Sequence, residues 1–282
     1  MDYIIDKTNE LNQLKLRTDL GMGIIEELYV PKDDNDIQDG ERVFYTNQNA
    51  KIIDNIRRSI ELIVDREEYK KFFISVLLSK ASVHVNTGSV FRFYKNKTTG
   101  IGEFGGTGKN ALTRILGEIE LPIPLFSDHN CKIKVFNKDT NVLVAELKDE
   151  IKLDLTYYDP PYNLHPYGSN YFMLNIIYKY EKAPNISEVL GIPVDWQRSP
   201  YTKKGYAKNS LDDLIRNTPS KFVLLSYNNE GIIPHDEVVG IMNKYGELQV
   251  LEQEYKTYKA SRNLNNRNDM VSEILYVLKK GS

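Results

Sequence analysis

Leu153-Asp154-Leu155-Thr156-Tyr157-Tyr158 followed by Asp159-Pro160-Pro161-Tyr162 begins as a strand and ends as a rigid turn. Leucine, threonine and tyrosine in close succession favour extended backbone. Two prolines then remove two amide donors, so ladder pairing stops there. Further runs share the strand character: KIKVF (132–136), KFVLLSY (221–227), LQVLEQEY (248–255) and EILYVL (273–278). The helix-like segments Thr140–Leu147 and Tyr171–Tyr180 separate the first of these, the alternation that builds a parallel sheet. A long polar connection joins the last two, which predicts an antiparallel pair at one edge. The expected class is α/β.

Upstream of this region the periodicity changes. Ile52, Ile53, Ile56, Ile60 and Ile63 recur at helical spacing, and Tyr69, Phe72, Phe73, Val76 and Leu77 repeat the pattern. A helical pair over 48–64 and 67–82 is predicted. Residues 1–30 read as a short amphipathic helix and a second apolar piece at 24–30, followed by the acidic loop Pro31–Glu41. From Asn86 to about 130 the chain is basic, rich in glycine and without periodicity. Three parts are expected: a segment 1–41 available for contact with a subunit, a helical and irregular lobe 42–130, and an α/β domain 131–282.

Composition narrows the class. The 282 residues are 41% hydrophobic, enough for one sizeable core and a smaller lobe. A formal net charge of −2 hides an asymmetry, for residues 1–50 carry a net of −6 and residues 51–100 a net of +5. One basic face turned toward phosphate fits such a distribution, and so does an ordinary solvated surface. Cys131 is alone, so an intramolecular disulfide and a multi-thiolate zinc site are excluded, and no metal is expected. Asp2 and Asp6 interrupt the first apolar run, and no stretch approaches the roughly 20 apolar residues of a membrane span. A soluble cytoplasmic protein with no membrane contact is expected.

The turn after the strand carries the chemistry. Ligands of open α/β sheets bind at the carboxyl ends of strands, which is where Asp159 stands. The lone pair of an exocyclic amine such as adenine N6 is delocalised into its ring, which makes the amine a poor nucleophile. A carboxylate and an adjacent carbonyl, here Asp159 and Pro160, can accept both N–H groups and draw the nitrogen toward a reactive geometry. Pro161 keeps the turn stiff, and the face of Tyr162 can hold a base flipped out of its duplex. The plainer alternative is a stiff turn around a buried tyrosine.

Longer stretches sharpen the choice. They are ERVFYTNQNAKIIDNIR (41–57), HVNTGSVFRFY (84–94), FGGTGKNALTRI (104–115), YYDPPYNLHPYGSNYFMLN (157–175), LLSYNNEG (224–231) and YKTYKASRNLNNRN (255–268). Together they make the chain resemble the adenine-specific DNA methyltransferases of restriction–modification systems, of the Asp-Pro-Pro-Tyr class. The resemblance implies a Rossmann-like methyltransferase sheet, S-adenosylmethionine as methyl donor and double-stranded DNA as substrate. It also implies base flipping, with Asp159, Pro160, Pro161 and Tyr162 catalytic and Asp159 close to the cofactor. Asp139, in the strand–loop before the catalytic strand, takes the position near the cofactor's adenine end.

One part of the family's pattern is missing. A Phe-x-Gly-x-Gly loop for the cofactor's methionine portion, and an acid for its ribose, should precede Arg42, where only Gly21-Met22-Gly23 stands. Phe104–Gly108 fits the wording of the loop, but the polar stretch before it is no buried parallel strand. The expected sheet is therefore partial, and a second methyltransferase subunit is expected to bring the loop. The alternative is an inactive DNA-binding or assembly subunit. DNA contacts are expected from Lys109, Asn110 and Arg114, from Arg198 and Lys203, and from Lys259, Arg262 and Asn263, which mix cations and amides suited to phosphates and base edges. His84 and Asn86 read as a structural pair.

Overall fold

A computed structural model describes residues 1–281 except Ser89, Thr107, Asn110, His165 and residues 257–269, and at Lys256 it describes the backbone. In chain order the elements are α1 (Asp2–Leu14), α2 (Ile24–Leu28), α3 (Asn47–Ile63), α4 (Glu67–His84), β1 (Tyr94–Lys95), β2 (Gly102–Glu103) and α5 (Leu112–Leu116). Then come α6 (Thr140–Leu147), β3 (Leu153–Tyr158), α7 (Tyr167–Asn170), α8 (Phe172–Lys179), a 3-10 turn (Pro200–Thr202) and α9 (Lys204–Asn217). β4 (Ser220–Asn228), α10 (His235–Met242), β5 (Gly246–Lys256) and β6 (Met270–Lys280) complete the order. The chain forms two compact units, Met1–Asn130 with Gly168–Trp196, and Cys131–Tyr167 with Gln197–Ser282. Among the described residues no helix is long and apolar enough to cross a membrane.

The first unit is helical. The isoleucine stripe of α3 is fully buried at Ile52, Ile53, Ile56 and Ile60, as its 3.6-residue spacing requires. Phe73, Ile74, Leu77 and Ala81 of α4 join it, and so do Phe172, Met173, Ile176 and Ile177 of α8. Leu11, Ile24, Ile25 and Tyr29 lie in the same core, so the acidic N-terminal segment is tied down by its apolar residues. The buried Asp54 carboxylate fixes α2 by accepting from the amides of Ile25 (3.2 Å) and Glu26 (2.9 Å), and it also accepts from the Tyr180 hydroxyl at 2.7 Å. Arg57 of α3 donates to the carbonyls of Ile177 and Tyr178, both at 3.0 Å, closing the end of α8.

The second unit holds a four-stranded mixed sheet in the order β3-β4-β6-β5. β3 and β4 are parallel, while β6 runs antiparallel to both β4 and β5. The antiparallel pair expected at one edge is thus present, with β5 outermost. On one face Val223, Leu225 and Tyr227 pair with Leu278, Tyr276 and Ile274. Leu211, Leu214 and Ile215 of α9 cover this face together with Val238, Ile241 and Met242 of α10. The opposite face stays open: Leu155, Tyr157, Phe222 and Leu251 are 53%, 55%, 39% and 47% exposed. Among the described residues β3 pairs with β4 alone and so stands at the edge of the sheet.

The strand expected at 132–136 does not form. That run is irregular, with Ile133 81% and Val135 87% exposed. A β-strand is held by a neighbour's ladder, and no described strand pairs with this one. Its β-branched residues are therefore propensity without a partner.

Candidate active site

Tyr158 ends β3 with its side chain turned into the covered face. Its hydroxyl lies 2.7 Å from that of Thr218, which in turn donates to the Leu214 carbonyl at 2.6 Å. Burial raises the Tyr158 hydroxyl above its ordinary pKa. The next residue, Asp159, leaves the core and is exposed, while Pro160, Pro161 and Tyr162 are half-buried. Alternation along the strand explains the contrast: the residue that anchors the turn points inward, so its neighbour points outward.

The loop after β4 forms the other wall. Its Ile232 amide donates to the Tyr162 carbonyl at 2.8 Å, and the Ile233 amide donates to the Tyr227 hydroxyl at 3.2 Å. Tyr162 and Tyr227 meet edge to face, with ring centroids 6.1 Å apart and planes at 78°. At Gly231 a Cβ would lie 2.1 Å from the Tyr227 ring, so only glycine lets the loop pass. Asn229 ties the loop to the start of β6, its amide donating to the Ser272 carbonyl at 3.1 Å and its Oδ1 accepting from the Ser272 amide at 3.2 Å. Tyr227, Asn229 and Gly231 were given no role in the sequence reading. An Asn-Asn-Glu-Gly turn directly after an apolar strand was the signal that could have found them.

Asp139 is exposed and caps α6, its carboxylate accepting from the Val142 amide at 3.2 Å. Asn141 ties this end of α6 to α9, donating to the Ser210 carbonyl at 2.8 Å and to the Asp213 carboxylate at 3.0 Å. The Tyr201 hydroxyl donates to Asn141 Oδ1 at 2.9 Å. Burial first, then the nearby Tyr158, Asp139 and Asp213, push that hydroxyl far above its usual pKa. Tyr201 therefore lies within electrostatic reach of both Asp139 and the end of β3.

The cations expected at DNA have varied surroundings. In the first unit Lys109 adopts φ 50°, donates from Nζ to the Phe104 carbonyl at 2.8 Å and lies 3.6 Å from the Glu103 carboxylate. Arg114 gives its guanidinium to the carbonyls of Val83, Val85 (2.5 Å) and Asn86 (3.0 Å). In the second unit Arg198 is exposed, and Lys203 is exposed over the Tyr206 ring at 5.6 Å. Asn110, Lys259, Arg262 and Asn263 lie outside the described residues. Asn86 is fully buried, donating to the carbonyls of Val43 (2.8 Å) and Glu103 (2.9 Å) and accepting from the Gly105 amide (3.0 Å). The Phe104–Gly108 loop is thus held from within, and Gly106 (φ +59°) leaves room for the Tyr94 ring, which a Cβ would approach to 2.9 Å.

The amino-acid sequence of the chain is matched by known proteins. The family model of the D12 class N6 adenine-specific DNA methyltransferases covers residues 10–241. The chain belongs to that family. It is 30% identical over 247 residues to the type II methyltransferase M.NlaIII of Neisseria lactamica, covering 85% of this chain and 68% of that protein. Against the modification methylase StsI of Streptococcus sanguinis the identity is 31%, over 86% of this chain and 35% of the relative. Against the type II methyltransferase M.CviAII of Paramecium bursaria Chlorella virus 1 it is 30%, over 78% and 62%. The chain thus spans between about a third and two thirds of the length of these relatives. No solved structure matches.

D12 class methyltransferases take their methyl group from S-adenosylmethionine. The exposed Asp159 carboxylate suits the positive charge of that cofactor, and the exposed Asp139 can accept from its adenine amino group. A glycine turn directly after a parallel strand, which would suit the methionine carboxylate, is not found among the described residues of the second unit. The residues present fit part of the cofactor.

Proposed function

We propose that this chain is the catalytic and DNA-reading part of a site-specific adenine-N6 DNA methyltransferase, working in complex with a second polypeptide that brings the cofactor loop. The observation that carries the catalytic half is Asp159, exposed at the carboxyl end of a parallel strand. Tyr158 anchors it from below, and the Asn228–Pro234 loop braces it beside Tyr162. Asp159 accepts one N6–H of a flipped adenine and the Pro160 carbonyl accepts the other, which restores nucleophilic character to the nitrogen. Tyr162 steadies the base by stacking. The bound cofactor supplies an electrophilic methyl group, and Asp139 with Asp159 holds it. Lys109, Arg198 and Lys203 draw the phosphates, while Arg262 and Asn263 read base edges. A DNA site of the restriction–modification kind is in keeping with relatives that are named a type II methyltransferase and a modification methylase.

Support for the second polypeptide comes from the sheet. Among the described residues β3 offers an unpaired ladder edge, the face carrying Leu155, Tyr157 and Phe222 lies open, and the strand-like run 132–136 has no strand partner. Such edges and faces are normally covered. The partner adds parallel strands to β3 and buries this face in an obligate interface of more than about 2,000 Å².

Two measurements test these halves separately. Asp159→Ala in the active complex should abolish methyl transfer while DNA binding persists, and full activity would end the catalytic assignment. Calorimetry should show S-adenosylmethionine binding to the complex and little to the single chain. Tight binding by the single chain would remove the need for a partner.

A further inference from the structure

Tyr201 ties the start of α6 to the second unit. Its side chain is buried in the core that α9 and α10 form on the covered face of the sheet. The 3-10 turn that carries it is folded from within. Ser199 Oγ accepts from the Tyr201 amide at 3.2 Å, and the Ser199 carbonyl accepts from the Thr202 hydroxyl at 2.9 Å. The Pro200 carbonyl accepts from the Lys203 amide at 3.1 Å. Apolar packing thus holds the ring, and the turn fixes the direction of its hydroxyl.

That hydroxyl donates to Asn141 Oδ1 at 2.9 Å and lies 3.1 Å from the Ser210 carbonyl. Asn141 Nδ2 donates to the same carbonyl at 2.8 Å and to the Asp213 carboxylate at 3.0 Å. Asn217 braces that carboxylate in turn, donating to its other oxygen at 3.0 Å. Both polar atoms of the Asn141 side chain are therefore held by α9 or by the turn before it. Asp139 stands two residues earlier and closes the same helical turn. Its carboxylate accepts from the Val142 amide at 3.2 Å, and its carbonyl accepts from the Leu143 amide at 2.9 Å. No described residue of α6 is fully buried, and Val144 packs only at the margin of the core. The placement of Asp139 therefore depends on this polar joint.

We propose that Tyr201 is a positioning residue for the cofactor, setting the place of Asp139 through Asn141. The role rests on the reading of Asp139 as the acceptor for the amino group of the cofactor's adenine. A hydrogen bond of this kind is lost when its acceptor shifts by about 1 Å. Without the Tyr201 hydroxyl, Asn141 Oδ1 loses its donor, and the first turn of α6 is free to shift against α9. Tyr201 therefore acts on which base the cofactor site selects. The methyl-transfer step stays with the turn after β3.

The test uses Tyr201→Phe, which keeps the ring and removes one hydroxyl. NMR of the purified chain should show the Val142 and Leu143 amides exchanging with solvent at least about threefold faster than in wild type. Unchanged exchange would overturn the link from Tyr201 to Asp139. In the active enzyme, calorimetry compares S-adenosylhomocysteine with its analogue carrying purine in place of adenine, which lacks the amino group. Wild type should prefer the adenine form by about 10-fold, and Tyr201→Phe should reduce that preference to about 2- or 3-fold. KM for S-adenosylmethionine should rise by roughly 3- to 5-fold, with kcat at saturation and DNA affinity each within about twofold of wild type. A variant that binds both forms more weakly by the same factor, with the preference intact, would reduce Tyr201 to a structural role and overturn the proposal. Asp139→Ala separates the two readings. If it keeps the full preference for the adenine form, Asp139 is not the acceptor and the proposal falls with that reading, whereas the exchange result is independent of it.

Discussion

Gly231→Ala tests how the active-site wall is built. A Cβ at this position would lie 2.1 Å from Cε1 and 2.8 Å from Cδ1 and Cζ of the Tyr227 ring. Ordinary carbon contacts begin near 3.5 Å, so more than about 1 Å of movement is required. The ring cannot supply it, being 2% exposed, bonded through its hydroxyl to the Ile233 amide and packed edge-on against Tyr162. The loop must therefore move, which strains or breaks the Ile232–Tyr162 hydrogen bond. Overpacking of this kind costs about 1–3 kcal/mol, and losing the bond adds about 0.5–1.5 kcal/mol. A total near 2–4 kcal/mol is expected. Native-state hydrogen exchange of the β4 and β6 amides reports this unit directly. Gly240→Ala is the matched control, because it sits in α10 with nothing within 4 Å of its Cβ and should stabilise by up to about 1 kcal/mol. In the active complex Gly231→Ala should also lower kcat up to about 100-fold through misplacement of Tyr162. Exchange protection within about 0.5 kcal/mol of wild type, with kcat intact, would refute the idea that this loop braces the catalytic turn.

Two further outcomes are expected in the first unit. Arg114→Ala strips a charged donor from the carbonyls of Val83, Val85 and Asn86 and should cost about 2–3 kcal/mol, read by exchange of the α4 amides; a stability within about 0.5 kcal/mol of wild type, with lost DNA affinity, would make Arg114 a DNA contact instead. Burial raises the Asp54 carboxyl, outweighing the bonds from Glu26, Tyr180 and Ile25 and the charge of Arg58. A carboxyl whose folded pKa lies above its unfolded value binds its proton more tightly in the native state. This unit should therefore lose stability as pH rises from the unfolded carboxylate range through the raised value. Asp54→Asn should remove that slope, and an equal slope in wild type and variant would assign it elsewhere.

Residue periodicity and local chemistry were enough for much of this protein. The isoleucine stripe of α3 could bury only one face, so its helix was written in the spacing. Two prolines after an apolar run ended β3 at Tyr158 and set Asp159 at its mouth, because proline cannot continue a ladder. What depended on distant partners was not legible. KIKVF carries strand propensity, yet a strand exists only where another strand offers its ladder, and 132–136 finds none among the described residues. Arg114 reads as a basic residue in a basic lobe, and only the folded chain shows its guanidinium donating to carbonyls some 30 positions away in sequence. Phe172–Lys179 comes ten residues after Tyr162 of the Asp-Pro-Pro-Tyr turn, and only packing shows that its apolar side joins the N-terminal helices. Sequence determines which faces are apolar and where the backbone must stop. Tertiary structure decides which charges meet, because that depends on strand order and register that no local pattern encodes.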